Sequence, residues 1–454
     1  MQNAAIEQPG PTVFAEGMVH DPYPIYAALR DAGPVVWSDE ARGGAWLVTR
    51  YADVAAALSD PRLSAARTDY FTASLDEAQR RRLEPLTTAL GRWLLLMDAP
   101  RHSRLRRALN YGFKPAVIEA LRPAVEQLVH ELLTPLRSSD PDSEAKRAPE
   151  FDFIHDFAYP LPARVIARML GVPGSDHRQF VSWSDDVVAF IGSLDASFEC
   201  GLRAQDALHA ITEYFRELVA RRAAQRDERE DLTGLLLAAQ RRGEFESDEE
   251  LLAQCSMFFF AGHETTRNLL GNGLYTLLRH PDQAALLRAN PGLMQRALRE
   301  LARYESPVQF TGRRAREDLT LHGRTIRRGD TVLLLLGSAN RDPARFCDPD
   351  RLDVTRDEAP PLSFGYGPHV CIGTTLSYLE AGIAFSRLLA DLPTIRCPDL
   401  TPHWVDNPAF RGLQRLRLER GPPAPRGIDA AGTTASTQHS GPGPGTASVP
   451  GGAV

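Results

Sequence analysis

One junction limits what this chain can fold into more than any other stretch. The run Phe364-Gly365-Tyr366-Gly367-Pro368-His369-Val370-Cys371-Ile372-Gly373 carries a single cysteine and opens into a helical pattern from Thr374 to Leu389. A thiol titrates near ~8.5 and stays a thiolate at neutral pH only where positive potential supports it. A helix N-terminus supplies roughly half a charge together with unpaired N–H donors. Cys371 falls at the foot of such a helix, and Gly365, Gly367 and Gly373 permit tight turns and close backbone approach beside it. Phe364 is placed to shield one side of the sulfur from water. Other readings of the loop fail on their spacing: no third glycine completes a dinucleotide fingerprint, and no Cys-x-x-Cys-His offers covalent haem attachment.

Phe-Gly-x-Gly-x-His-x-Cys-x-Gly resembles the haem-binding signature of the cytochrome P450 superfamily, and every fixed position is matched. The resemblance implies haem b with Cys371 as the axial iron ligand, and Phe364, His369 and Gly373 around the cofactor.

A second constraint begins at Ser247. Ser247 and Glu250 form a capping-box pattern, and helical periodicity then runs to Arg279, where His280-Pro281 ends it. Some thirty residues at ~1.5 Å each make a helix roughly 45 Å long. Leu251, Leu252, Met257, Phe258, Phe259, Phe260 and Ala261 surround it, so it should be central and buried. A charge inside such a helix is costly unless it is paired or used. Glu264 lies there, within Ala261-Gly262-His263-Glu264-Thr265-Thr266. This run is similar to the family's oxygen-activation motif. The resemblance implies that Gly262 leaves room for ligand and dioxygen, that Thr265 bonds the oxygen, and that Glu264 relays protons. A structural ion pair with an arginine is the other reading of Glu264. A zinc-protease reading fails because position 267 is Arg where His is required, and His263 is left as a core or pocket residue.

Two further patterns gain meaning only beside these. Asp98 and Pro100 signal a helix start, which puts His102 and Arg106 on one face. They resemble the family's contact with the two haem propionates, as do Arg313 and His369, although Arg314 leaves the register of Arg313 open. Arg104 and Arg107 could face an acidic electron-transfer partner. Glu300 and Arg303 are similar to the family's Glu-x-x-Arg pair, with Arg351 expected as the third member of a structural network.

Phe71, Phe190, Phe258, Ala261, Val308, Phe310 and Phe410 are the expected substrate-pocket wall. The segment from Leu63 to Trp93 reads as a loop with apolar anchors.

The chain has 454 residues, 43% hydrophobic and 24% charged, with a net charge of -6, which gives no reason to expect nucleic acid. Its opening shows no signal-peptide or membrane-anchor pattern, and five scattered cysteines argue against a disulfide framework. A cytoplasmic location follows as the expectation. At ~150 residues per domain the length alone would give about three domains. The resemblance instead implies one mainly α domain with a small β-rich lobe over 21–420, after an arm at 1–20. Residues 421–454, rich in Gly, Pro, Ser and Ala, read as a disordered tail.

The activity that the resemblance implies is haem-thiolate monooxygenation of a medium-sized apolar substrate by hydroxylation or epoxidation. Dioxygen is the co-substrate. Electrons would come from a ferredoxin or flavodoxin-type donor and its NAD(P)H-dependent reductase, and the enzyme is expected to be a monomer. A peroxide-driven or oxidative-coupling haem enzyme would share the cysteine loop but commonly departs from the acid-alcohol pair. A haem sensor would need no proton relay, and a purely structural helical protein would leave the coincidence of motifs unexplained.

Overall fold

The computed structural model describes residues 17–40, 43–138, 151–225, 231–392 and 394–420. The arm before residue 17, the polar connection at 139–150 and the tail after 420 lie outside the described residues.

The centre is the helix Asp248–Arg279. The Ser247 hydroxyl accepts from Glu250 N at 3.2 Å, and Asp248, Glu249 and Glu250 place negative charge in the first turn, opposite the helix dipole. The reciprocal half of the capping box does not form. The Glu250 carboxylate instead accepts from Glu246 N at 2.9 Å and from Arg104 Nη2 at 2.8 Å. Arg104 is thereby ion-paired within the protein while its side chain stays partly exposed. It draws the short helix Arg101–Leu109 against the start of the central one.

The helix Pro160–Leu170 packs along the middle of the central helix, and the helix Thr374–Asp391, which carries the cysteine loop at its foot, packs on another side. A hydrogen bond of 3.0 Å between the hydroxyls of Thr266 and Ser377 joins the central helix to that of the cysteine. Helices His177–Gly192, Phe198–Gln225 and Leu232–Arg241 cover the same region. Phe180, Phe215 and Phe259 interlock in that layer. Each such buried side chain contributes about 1.5–3 kcal/mol relative to exposure.

The β-rich lobe is a five-stranded sheet in the order Val35–Ser38, Ala45–Val48, Thr331–Leu334, Thr311–Ala315, Leu63–Ser64. Its second and third strands pair in parallel and the rest antiparallel. The sheet settles the register that the sequence left open. Arg313 lies opposite Val332 and is buried, whereas Arg314 turns outward and pairs with Asp69 at 2.6 Å.

One segment differs from its reading. Residues 63–93 hold short helices at Glu77–Arg82 and Glu84–Leu90, too brief for a periodicity argument. A separate helix at Pro281–Ala289 follows the central one.

Candidate active site

Cys371 sits two residues before Gly373, the N-cap of the helix Thr374–Asp391. Its amide donates to Phe364 O at 2.8 Å, closing the loop, while Gly365 and Gly367 take φ values of 73° and 70°, which disfavour residues with a Cβ. Burial raises the thiol above its ordinary pKa. The Gly373 and Thr374 amides, the Thr374 side chain and the charge of Arg106 act in the opposite direction. A thiol under that balance ionises when a metal ion takes the sulfur. The Phe364 ring packs edge-on against Tyr378 at 4.9 Å, beside the loop.

The loop is braced from behind. Glu300 and Arg303 form a fully buried two-point ion pair at 2.7 and 2.9 Å. Arg303 also donates to Asn340 O at 2.8 Å, and Asn340 Oδ1 accepts from Leu362 N at 2.7 Å, two residues before Phe364. The third side chain is not that of Arg351. Arg356 Nε lies 3.1 Å from Glu300 Oε2, and Arg351 contributes only its backbone carbonyl to Arg303 while its own side chain turns to solvent. The reason is the turn at Asp348–Asp353, which brings Asp353 N to Glu300 at 3.0 Å and carries the chain past before an arginine can fold inward.

Four basic groups gather beside the loop. The rings of His102 and His369 lie 4.0 Å apart, and His102 Nε2 is buried with no hydrogen-bond partner. Arg313 is buried, and so is Arg67, which the sequence reading did not single out. Both guanidiniums bond only to carbonyl and hydroxyl oxygens. Burial lowers Arg67 to about 9, with Arg313 adding to the effect, and lowers Arg313 to about 10. Burial, together with His102 and the two arginines, lowers His369 to about 3. The nearby acid, Asp98, is committed to the Ser64 hydroxyl and Ala65 N. Buried cations without carboxylate partners are expensive. The set suits a ligand carrying two carboxylates beside an iron held by Cys371, so haem fits these residues. Arg106 departs from the set: its Nη1 and Nε are engaged by Val370 O at 2.7 Å and Asn110 Oδ1 at 3.0 Å.

On the central helix, Ala261, Gly262, Thr265 and Arg267 are only partly buried among buried neighbours, and Ala261 and Thr265 share one face. The Thr265 hydroxyl donates to Ala261 O at 3.0 Å without interrupting the helix. Gly262 does not serve the role expected of it. A Cβ there would meet Ile166 at 3.0 Å, so the missing side chain admits the helix Pro160–Leu170 rather than a ligand. Glu264 is buried and paired: Oε2 accepts from Arg267 Nη1 at 3.0 Å and Oε1 from Asn268 Nδ2 at 3.1 Å.

Of the expected pocket residues, Val308 and Phe410 are bridged across antiparallel backbone, and the rings of Phe71 and Phe190 meet at a tilt with centroids 6.0 Å apart. Phe310 is buried. Phe258 turns away and packs on Phe113 at 5.1 Å. The helix residue that meets Phe410 is Phe260, at 6.3 Å, with Trp93 on its other side at 5.1 Å. In a helix apolar on most sides, periodicity does not say which phenylalanine faces a given neighbour.

The fold agrees with what the chain resembles among known proteins. The Cytochrome P450 family profile matches residues 65–409. The biotin biosynthesis cytochrome P450 of Bacillus subtilis is 36% identical over 401 residues, covering 87% of this chain and 95% of that protein. The cytochrome P450 monooxygenase PikC of Streptomyces venezuelae is 39% identical, covering 89% and 93%. The crystal structure of P450BioI with a hexadec-9Z-enoic acid ligated acyl carrier protein superposes with a TM-score of 0.81 at 34% identity, covering 89% of this chain and all of that one. The chain therefore belongs to the cytochrome P450 family. It is a haem-thiolate monooxygenase that uses dioxygen, a redox partner and an organic substrate.

Proposed function

We propose that the substrate is a medium-sized apolar molecule held over the Ala261–Thr265 face and hydroxylated or epoxidised there. The observation that carries this reading is the aromatic contact between Phe260, which directly precedes Ala261 on the central helix, and Phe410. Phe71 and Phe190 supply a second aromatic pair. Such surfaces gain by excluding water from an apolar ligand, and they offer few groups to satisfy a polar one.

In this reading haem, when bound, supplies the activation of dioxygen. Cys371 holds the iron, His102, His369, Arg313 and Arg67 hold the carboxylates, and Phe364 keeps water from the sulfur. The Thr265 hydroxyl exchanges its bond to Ala261 O for one toward the reacting face, and Glu264 delivers protons after release from Arg267. The Arg303–Asn340–Leu362 chain keeps the cysteine loop in register. A ferredoxin or flavodoxin-type donor docks beside exposed Tyr366, Val370 and Arg107. The enzyme works as a cytoplasmic monomer. Among the described residues no helix is long and apolar enough to cross a membrane.

A visible-absorption titration of the ferric, haem-loaded protein tests the substrate class. Fatty acids, free and carrier-bound, terpenoids and natural-product intermediates should produce a saturable shift of the Soret band, and Phe410→Glu should weaken it. A shift confined to polar or charged compounds would overturn the assignment.

A further inference from the structure

We propose that Asp185, His263 and Glu264 form a zinc-type cation site at the inner end of a solvent groove. The groove, of about 2000 Å³, runs beside the central helix and is lined by Tyr159, Asp185, Glu264 and Arg267, and by none of the Cys371 set. The three residues each present one ligand atom, and these atoms lie within 4.8 Å of one another.

His263 makes the cluster more than a pair of acids. Its Nδ1 lies 3.3 Å from Phe259 O and 3.5 Å from the Ser184 hydroxyl. A carbonyl only accepts, so Nδ1 carries the proton and Nε2 keeps a free lone pair. Nε2 is fully buried, has no hydrogen-bond partner, and lies 4.0 Å from Glu264 Oε2. An imidazole whose other nitrogen donates to a backbone carbonyl is the arrangement metal-ligating histidines adopt. The carboxylates are oriented in a similar way. Tyr159 OH donates to Asp185 Oδ1 at 2.5 Å, and Asn268 holds Glu264 Oε1.

One imidazole nitrogen and two carboxylate oxygens suit zinc better than calcium or magnesium, and a groove water completes four ligands. Zinc bonds of about 2.0–2.2 Å put tetrahedral ligand atoms roughly 3.4 Å apart, so the 4.0 Å pair closes by about half an ångström. Exposed Asp185 gives the ion its way in. The competing cation is Arg267, which must leave Glu264 Oε2. It retains the Tyr159 ring at 4.7 Å and Leu413 O at 3.5 Å.

Zinc here takes the carboxylate of Glu264 out of proton delivery, a consequence that rests on the relay role proposed for that residue. Equilibrium dialysis of the chelator-treated, haem-loaded full chain against zinc chloride should find a site that Asp185→Asn and His263→Gln each weaken at least tenfold, with the Soret band of both unchanged. Equal zinc uptake by wild type and Asp185→Asn, whose side chain lies at the groove edge, would overturn the site and assign the metal to surface histidines. Substrate oxidation should fall with zinc in the wild type and not in the variants, each compared with its own zinc-free rate. Variant-sensitive binding without inhibition would keep the site and overturn the relay role.

Discussion

Arg267 Nη1 donates to Glu264 Oε2 at 3.0 Å, so the acid proposed to deliver protons is tied to an arginine on its own helix, three residues on. The pair is consistent with both readings the sequence left open, because a carboxylate can be structural at rest and a proton carrier when released. Glu264→Gln keeps the Asn268 bond and removes the acid. Product formed per electron consumed should fall on the order of 100-fold, with haem content unchanged. Normal coupling in that variant would make Glu264 purely structural. Arg267→Ala should instead cost stability, about 1–3 kcal/mol, because it leaves a buried carboxylate with Asn268 alone.

The arginine that completes the Glu300–Arg303 network is Arg356. Arg356→Ala should destabilise by about 1–3 kcal/mol and reduce haem retention, because it removes one of the two arginines that hold the buried Glu300. Arg351→Ala should stay within about 0.5 kcal/mol, as expected of an exposed side chain. Thermal melts of the two haem-loaded variants decide the order; a larger loss in the Arg351 variant would contradict it.

Gly262 separates packing from ligand access. Gly262→Ala drives a methyl to 3.0 Å from the Ile166 side chain, which should offset the roughly 1 kcal/mol that alanine gains over glycine in a helix, with substrate affinity by Soret titration largely preserved. Ile166→Val in the same chain should relieve part of that crowding. A collapse of substrate binding at unchanged stability would return Gly262 to the ligand face.

Glu380 is buried, its Oε2 has no hydrogen-bond partner, and burial raises its pKa well above the usual carboxylate range. The unfolded chain releases this proton above about pH 4.5 while the fold retains it, so the group lowers stability as pH rises from there toward its folded pKa. The slope for one proton is about 1.4 kcal/mol per pH unit. Glu380→Gln removes this term, so the stability gained over wild type should be larger at pH 8 than at pH 5. An equal gain at both values would mean that Glu380 is ionised in the fold.

What could be read in advance followed from how local the physics is. The Ser247 cap, the His280-Pro281 stop and the glycine-bounded cysteine loop depend on neighbouring residues, and the structure places each where its pattern indicates. Arg356 and Arg351 lie five positions apart in one loop, and only the turn between them decides which reaches Glu300. Phe258 and Phe260 are equally apolar, and their roles divide only when Phe113 and Phe410 arrive from distant segments. Arg67 joins the basic cluster because a strand pairing brings residues 63–64 against 314–315.

The central claim is that Cys371 carries the iron. X-ray absorption at the iron edge of the haem-loaded ferric protein should show one sulfur in the first coordination shell, and Cys371→Ser should remove it. A shell of nitrogen and oxygen only in the wild type, or a sulfur that persists in Cys371→Ser, would contradict the account.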